Sequence, residues 1–166
     1  MKKYLVIGNP IEHSLSPKLH SYWIKNNNID AIYEKEKLNE HDLENLILKV
    51  KDKKVHGINV TVPFKKAVIP YLDKLTTESE NTQSVNTIYL ENNEIIGHNT
   101  DINGFELSIK RSKFDLSNKE VFILGAGGVV PSIIYALNKM KVSKIFICNR
   151  TRKKAENLKK LFNNLN

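Results

Sequence analysis

Cysteine and long apolar runs are scarce in this sequence of 166 residues. Its single cysteine, Cys148, excludes an internal disulfide, and because it ends the apolar run 144–148 we expect it to be buried in a strand and not to act as a nucleophile. No apolar stretch approaches the roughly 20 residues that span a bilayer. The apolar segment after Lys3 is also too short for the hydrophobic part of a secretion signal. We therefore expect a cytoplasmic protein with no membrane segment.

Arginine is scarce as well, since the 26 basic residues include only three arginines. The net charge of +8 thus comes from lysines, which are scattered among acidic residues along the chain. No aromatic-interleaved basic stripe and no helix-turn-helix pattern accompanies them, so we expect no nucleic-acid partner. The five histidines lack a ligand spacing such as HxxxH, and we expect no metal site.

The chain alternates short apolar segments with amphipathic ones, which predicts an α/β fold with a mixed sheet in its first hundred residues. We expect a helix that has Pro17 at its first position and Ser16 as its N-cap, and a short helix near Pro63. Asn92 and Asn93 predict a hairpin turn. The expected strands are 3–7, 32–38, 57–60, 85–90 and 94–98.

After Asp101 the pattern becomes a helix, a polar stretch and then β-α-β-α to the end. We predict a first domain at 1–101, a connecting helix and hinge at 102–118 and a second domain at 119–166. Two parallel strands begin a nucleotide-binding sheet, but a stable sheet with helices on both faces normally has three or more. We therefore expect that the chain ends before this Rossmann-like domain is complete.

A glycine-rich loop, 125–128, connects the first strand of this second domain directly to a helix. Such a loop allows backbone N–H groups and the positive end of the helix to contact a pyrophosphate. Val130 stands where a third glycine is usual, so the match to the dinucleotide-binding pattern is imperfect. The alternative is a tight turn that binds no ligand.

Basic and polar residues follow the second strand of this domain, where NAD-binding proteins place an acidic residue. Without a carboxylate there, nothing repels the 2′-phosphate of NADP, and Arg150 offers the planar bidentate donor that suits it. This favours NADP over NAD. The alternative is that Thr151 only caps the last helix and that Arg150 and Arg152 are solvated.

Polar residues also cluster in the first domain, in a loop after the first strand (Ser14, Ser16), in the strand Asn59 to Thr61 before Lys65, at Asn86 and at Asp101. Loops at strand ends are common ligand sites in α/β proteins. Each residue also has a plain explanation. Lys65 is one of 23 lysines, Ser16 can cap a helix, and Asp101 can interact with the dipole of the helix it begins.

Taken in order, the motifs NPIxHSxSP, NVTVPFK, VNT, NTDxxG, GAGG and NRT resemble those of NADP-dependent shikimate dehydrogenases, from about Lys3 to the end of the chain. The resemblance implies a substrate-binding domain and an NADP-binding domain that enclose a cleft. It implies the reversible reduction of 3-dehydroshikimate to shikimate with NADPH, a step of chorismate and aromatic amino-acid biosynthesis. It also implies a monomer or homodimer whose partner is this small substrate.

By the same resemblance, Lys65 and Asp101 are the catalytic residues. The implied substrate-binding residues are Ser14, Ser16, Asn59, Thr61, Lys65, Asn86 and Asp101. The implied cofactor-binding residues are Gly125, Ala126, Gly127, Gly128, Val129, Asn149, Arg150, Thr151 and Lys154. Pro131 departs from the pattern, because the family often has an arginine there, and Thr77 stands where an acidic residue is expected.

The alternatives for the function are a non-catalytic module that binds shikimate or NADP, and a relative that acts on quinate. Because the chain is expected to stop short, we also expect poor turnover or none.

Overall fold

The computed structural model describes residues 1–163, whose strands form two separate sheets. The larger sheet has the order β2-β1-β3-β5-β6-β4 and consists of β1 (Lys2–Gly8), β2 (Ala31–Lys37), β3 (Gly57–Val60), β4 (Lys74–Leu75), β5 (Thr87–Glu91) and β6 (Glu94–His98). The smaller sheet pairs β7 (Glu120–Leu124) in parallel with β8 (Lys144–Cys148). The helices are α1 (Ser16–Asn26), α2 (Leu43–Lys51), α3 (Thr77–Thr82), α4 (Asp101–Arg111), α5 (Val130–Lys139) and α6 (Arg152–Leu161).

The strand directions bring several loops to one edge of the larger sheet. β1 and β3 are parallel and both end at this edge, whereas β5 is antiparallel to β3 and begins there. β6 returns antiparallel to β5 and ends at the same edge. Asn59 is thus paired with Thr87, and Thr87 with His98. The predicted α/β fold with a mixed sheet is confirmed.

The two faces of the larger sheet contribute to different cores because successive side chains in a strand point to opposite sides. Leu5 and Ile7 of β1 join the main core, which includes Leu43 and Ile47 of α2. Val6 lies on the opposite face, in a smaller cluster with Ile11 and Tyr33. Burial of apolar surface stabilises the fold by about 25 cal/mol per Å². Because a shift of one residue would turn these buried side chains to the wrong face, their burial also fixes the register of the strands.

The smaller sheet is covered on one face only within residues 1–163. Ile145 and Ile147 pack with Ile134 of α5 and Leu158 of α6. On the other face Phe122 stacks on Phe146 with their ring centroids 4.5 Å apart. Cys148 lies two residues after Phe146 on this open face and is exposed. The prediction that Cys148 is buried is therefore wrong.

The segment after Pro63 was expected to be a short helix, and this prediction is wrong. It forms a series of turns followed by a 3-10 helix at Ile69–Tyr71. Pro70 limits any helix here to the residues before Ile69, since proline disfavours the α conformation at the preceding residue and cannot donate a helical hydrogen bond. Neither β4 nor α3 was predicted. β4 has only two residues, and α3 reads Thr-Glu-Ser-Glu-Asn-Thr, which has no apolar periodicity.

α4 connects the two sheets and packs against α5. Glu106 Oε1 of α4 lies 2.7 Å from Lys139 Nζ of α5, and this ion pair raises the pKa of Lys139 mainly through its hydrogen bond to Glu106. The domain boundaries predicted around 102–118 stay a prediction. In the part of the chain that the structure describes, no helix is both long and apolar enough to cross a bilayer.

Candidate functional site

Lys65 and Asp101 form an ion pair at the edge where the loops meet. Lys65 Nζ lies 2.5 Å from Asp101 Oδ2, and the two side chains are only 13% and 23% exposed. Charges that are largely removed from water interact more strongly than a surface pair does. The structure therefore excludes the plain interpretation of Lys65 as one more solvated surface lysine.

Backbone hydrogen bonds on both sides hold Lys65 in place. Thr61 N donates to Ile7 O (2.9 Å) and Phe64 N donates to Thr61 O (2.9 Å), which bends the chain directly after β3. The Phe64 side chain is buried in the main core. Val85 N donates to Lys65 O (2.8 Å) and so ties Lys65 to the segment that leads into β5. The ammonium group is thus presented from a fixed backbone.

Asp101 is the first residue of α4, and Thr100 occupies the N-cap position before it. Asp101 Oδ1 accepts a hydrogen bond from Asn86 Nδ2 at 2.8 Å, while Oδ2 faces Lys65. Asn86 is itself held by Thr100, whose N donates to Asn86 Oδ1 (2.9 Å) and whose Oγ1 accepts from Asn86 Nδ2 (2.8 Å). Both oxygens of Asp101 therefore have partners, which fixes the orientation of the carboxylate.

Further hydrogen bonds connect Asn59 to this group. Asn59 Nδ2 donates to Thr87 Oγ1 (3.2 Å), and Thr87 Oγ1 donates to Asn86 Oδ1 (3.0 Å). The Tyr33 hydroxyl donates to Asn59 Oδ1 (2.7 Å). Sequence inspection missed Tyr33, because a tyrosine inside a strand is more often a core residue than a site residue. Only the pairing of β2 with β1, and of β1 with β3, reveals its place.

Ser14 and Ser16 lie in the loop after β1. The prediction that Ser16 caps α1 is wrong, because Leu15 occupies the N-cap position and Ser16 is the first helical residue. Ser14 Oγ accepts a hydrogen bond from Ser16 N at 3.3 Å, so Ser14 organises the start of the helix. Within residues 1–163, no hydrogen bond joins either serine to the Lys65–Asp101 pair.

Thr61 lies against the end of β1. A Cβ atom added to Gly8 would come within 2.6 Å of Thr61 Cγ2, so only glycine allows the two strands to approach this closely. Asn9 N also donates to Val62 O at 3.0 Å. These contacts hold the serine loop beside the segment that carries Lys65.

The glycine-rich loop has one glycine that its backbone requires and two that it does not. Gly125 has φ +116°, which favours glycine, and Gly125 N donates to Cys148 O at 2.7 Å. Among residues 1–163, a Cβ at Gly127 would meet nothing within 4 Å, and one at Gly128 would meet only Lys65 Cδ at 3.9 Å. Packing among these residues thus does not account for Gly127 and Gly128, and open space lies before the N-terminus of α5. This space suits a phosphate group, which backbone N–H groups at a helix start bind well.

A cleft of about 780 Å³ separates the glycine-rich loop from the Lys65 segment. It brings together Lys65, Lys66, Ala126, Gly127, Gly128 and Lys154. The remaining residues predicted to bind the cofactor do not line this cleft, namely Gly125, Val129, Asn149, Arg150 and Thr151. The lysines make the cleft basic, which favours an anionic ligand.

The turn between β8 and α6 holds the other predicted cofactor residues. Asn149 Nδ2 donates to Thr151 O at 2.8 Å, and Thr151 occupies the N-cap position of α6, although its side chain makes no cap hydrogen bond. Arg152 Nε pairs with Glu156 Oε1 at 2.9 Å, while Arg150 is exposed. The two arginines therefore differ, since only Arg152 is held by a carboxylate of its own helix.

Asn99 links the Lys65–Asp101 pair to the glycine-rich unit from a fully buried position, at 0% exposure. Its Oδ1 accepts from Asp101 N (3.0 Å), and its Nδ2 donates to Ser84 O (2.8 Å), Ser132 Oγ of α5 (2.9 Å) and Thr82 Oγ1 (3.2 Å). Ser84 Oγ in turn donates to Gly128 O at 3.3 Å. Sequence inspection missed these residues as well. Asn99 belongs to the NTDxxG motif, which was the one available signal.

Two family models match the chain. Residues 6–88 match "Shikimate dehydrogenase substrate binding domain", and residues 108–166 match "Shikimate / quinate 5-dehydrogenase". A shikimate dehydrogenase (NADP(+)) from Pelagibacter ubique is 57% identical over 161 residues, which cover 97% of this chain and 61% of that protein.

The solved structures that this chain resembles include shikimate dehydrogenases as well. Shikimate dehydrogenase from Aquifex aeolicus superposes with a TM-score of 0.91 at 39% identity, over 98% of this chain and 61% of that one. Shikimate 5-dehydrogenase from Thermus thermophilus, in complex with NADP(H) and shikimate, gives a TM-score of 0.87 at 29% identity, over 98% and 61% of the two chains. This chain thus spans 61% of the length of each of these three relatives.

Proposed function

This chain belongs to the shikimate dehydrogenase family, and on that premise we propose that it provides the substrate site and the acid/base pair for the NADP-dependent interconversion of shikimate and 3-dehydroshikimate. The observation that carries this proposal is the position of the Lys65–Asp101 pair. Lys65 lines a basic cleft opposite the glycine-rich loop, with its Cδ 3.9 Å from the place of a Cβ on Gly128, and it is paired there with Asp101.

The chemistry requires a proton donor beside a ketone. When NADPH is bound it supplies a hydride to the ketone carbon, and negative charge develops on the oxygen. The Lys65 ammonium stabilises this charge and gives the oxygen a proton, and in the oxidation direction Lys65 takes the proton back. Asp101 holds Lys65 in orientation with one oxygen, and its other oxygen is fixed by Asn86. Ser14, Ser16, Asn59 and Thr61 hold the rest of the substrate.

The cofactor side rests on the open glycine-rich loop and on the basic turn after β8. The loop 125–128 and the start of α5 receive the pyrophosphate, next to Val129. Asn149, Arg150, Thr151 and Lys154 bind the 2′-phosphate of NADP, since no carboxylate stands there to hold the hydroxyl of NAD. Residues 1–101 then form the substrate domain and 119–166 belong to the nucleotide domain.

A comparison of Lys65→Ala with Lys66→Ala tests this function. NADPH formation from shikimate and NADP⁺ is followed by absorbance, in this chain and in a protein that extends it to the length of its relatives. Shikimate binding is measured by calorimetry. We expect Lys65→Ala to lower turnover by about 10²- to 10⁴-fold, as loss of a general acid does, with a much smaller effect on binding. Lys66 lines the same cleft but lacks the Asp101 contact, so Lys66→Ala should keep its activity.

Three outcomes would contradict the proposal in different ways. Full activity of Lys65→Ala would reject the acid/base assignment. Shikimate binding without turnover in the extended protein would favour a non-catalytic binding module. Faster turnover of quinate than of shikimate would identify quinate as the preferred substrate, and the family model that matches residues 108–166 names both compounds.

A further inference from the structure

Tyr33 is a buried phenol within the group of proposed substrate residues. Its side chain is 7% exposed, and its hydroxyl donates to Asn59 Oδ1 at 2.7 Å. The ring stacks face to face on His20, with centroids 4.0 Å apart and an interplanar angle of 2°. Val6 and Ile11 pack in the same apolar cluster. The ring is therefore fixed by packing alone, and the hydroxyl is left to make a specific polar contact.

That contact, together with the carbonyl of Asn86 on the other side, sets which way the Asn59 amide is turned. Because Oδ1 accepts from Tyr33, the Nδ2 group must face the opposite direction, where it donates to Thr87 Oγ1 (3.2 Å) and to Asn86 O (3.4 Å). A flipped amide would direct its NH₂ group toward the hydroxyl of Tyr33 and its carbonyl toward the carbonyl of Asn86. The second contact is repulsive, so the observed orientation is strongly preferred.

The Tyr33 phenol keeps its proton over the whole physiological range. Burial raises the pKa of Tyr33 to about 12, and the Ser16 hydroxyl only partly offsets this effect. Burial also lowers the pKa of the stacked His20, which therefore stays neutral near pH 7. Tyr33 thus adds no charge beside Asn59.

We propose that Tyr33 is a positioning residue for shikimate, which fixes the Asn59 amide so that this side chain meets the substrate in one orientation. The inference rests on the proposed function, because it concerns the same site. The effect of Tyr33 does not extend to the Lys65–Asp101 pair. Asn86 is anchored by two contacts with Thr100 and by Asp101, so its orientation does not depend on Asn59. Tyr33 therefore controls substrate affinity and not proton transfer.

Tyr33→Phe tests this, since it removes one oxygen and keeps the ring stacked on His20. One hydrogen bond is worth about 0.5–1.5 kcal/mol, so we expect the Kd for shikimate to rise about two- to tenfold. In the extended protein, the kcat, its pH profile and the Kd for NADP⁺ should change by less than about twofold, because Lys65, Asp101 and the glycine-rich loop keep their contacts. Tyr22→Phe is the matched control, since Tyr22 is 62% exposed. An unchanged shikimate affinity in Tyr33→Phe, or a loss confined to kcat, would overturn the proposal.

The Asn59 amide gives a readout that needs no ligand. In the ligand-free chain, nuclear magnetic resonance should show two distinct protons for the Asn59 side-chain NH₂ group, which exchange slowly with each other because the amide is held in one orientation. Tyr33→Phe should speed this exchange. Tyr22→Phe should leave it unchanged. Unchanged exchange in Tyr33→Phe would reject the positioning role directly. If the unmodified chain and its extended form both fail to bind shikimate, the proposed function fails, and the amide measurement still decides whether Tyr33 orients Asn59.

Discussion

The most informative stability experiment is Asn99→Ala, because Asn99 connects the Lys65–Asp101 pair to α5. The substitution removes all four contacts of a side chain with no exposed surface. Two of its partners have alternatives. The hydroxyl of Ser132 can rotate, and Thr82 Oγ1 already donates to Glu78 O at 2.6 Å. The other two are backbone groups, Asp101 N and Ser84 O, which lose their side-chain partner.

The size of the effect follows from these two groups. A buried backbone group left without a partner costs about 1–3 kcal/mol. Two such groups give a loss of about 2–6 kcal/mol in the free energy of unfolding, a large share of the roughly 5–15 kcal/mol that stabilises an ordinary domain. Both groups adjoin the proposed site, so the loss should come with weaker binding of shikimate and NADP⁺ together.

Urea denaturation followed by far-ultraviolet circular dichroism measures this loss. Asn103→Ala is the matched control, because Asn103 is an exposed residue of α4 and the same atoms are removed. We expect it to change the free energy of unfolding by less than about 0.5 kcal/mol. A loss below about 1 kcal/mol for Asn99→Ala would refute the reasoning, since it would mean that Asp101 N and Ser84 O do not depend on Asn99.

Two further predictions concern the second sheet and its turn. Arg150→Ala should weaken NADP⁺ binding by about tenfold or more and leave NAD⁺ binding unchanged, because the variant lacks the group proposed to make a charge-assisted contact with the 2′-phosphate. Calorimetric titration measures both affinities, and Arg152→Ala is the control, since Glu156 already holds Arg152. Equal losses for both nucleotides would contradict the NADP assignment. The exposed thiol of Cys148 should react with an aromatic disulfide reagent in the native chain, and a reaction seen only in urea would show that its face of the sheet is covered in solution.

The sequence predicted those parts of the fold that local patterns determine. Asn92 and Asn93, for example, have φ of 50° and 65°, as the two central residues of a tight hairpin turn require. The predictions failed where a distant contact or a neighbouring proline decides. Pro70 limits a helix after Pro63 to the residues before Ile69, and burial of Cys148 depends on what covers β8, which its own apolar run cannot reveal.

The same distinction applies to the site. Lys65 and Asp101 are 36 residues apart, and only the ordered set of motifs pointed to both. The residues that hold them carry no such signal. Tyr33 reaches Asn59 across β1, and Asn99 reaches Ser132 across 33 residues, so both roles arise from strand order and helix packing. A motif thus indicates groups that can contact a ligand, and less often the groups that orient them.

Polar contacts join the two parts of the site, and this has a consequence for their alignment. Asn99 bonds to Ser132, Ser84 bonds to Gly128, and Glu106 pairs with Lys139. Apolar contacts tolerate sliding because they depend mainly on buried area, whereas hydrogen bonds weaken steeply as their geometry departs from linear. A buried polar network therefore specifies one placement of α5 relative to Asp101. In the proposed reaction the hydride donor and the ketone carbon have to be placed within a few tenths of an ångström of a productive position, and directional contacts of this kind are well suited to hold the glycine-rich loop opposite Lys65.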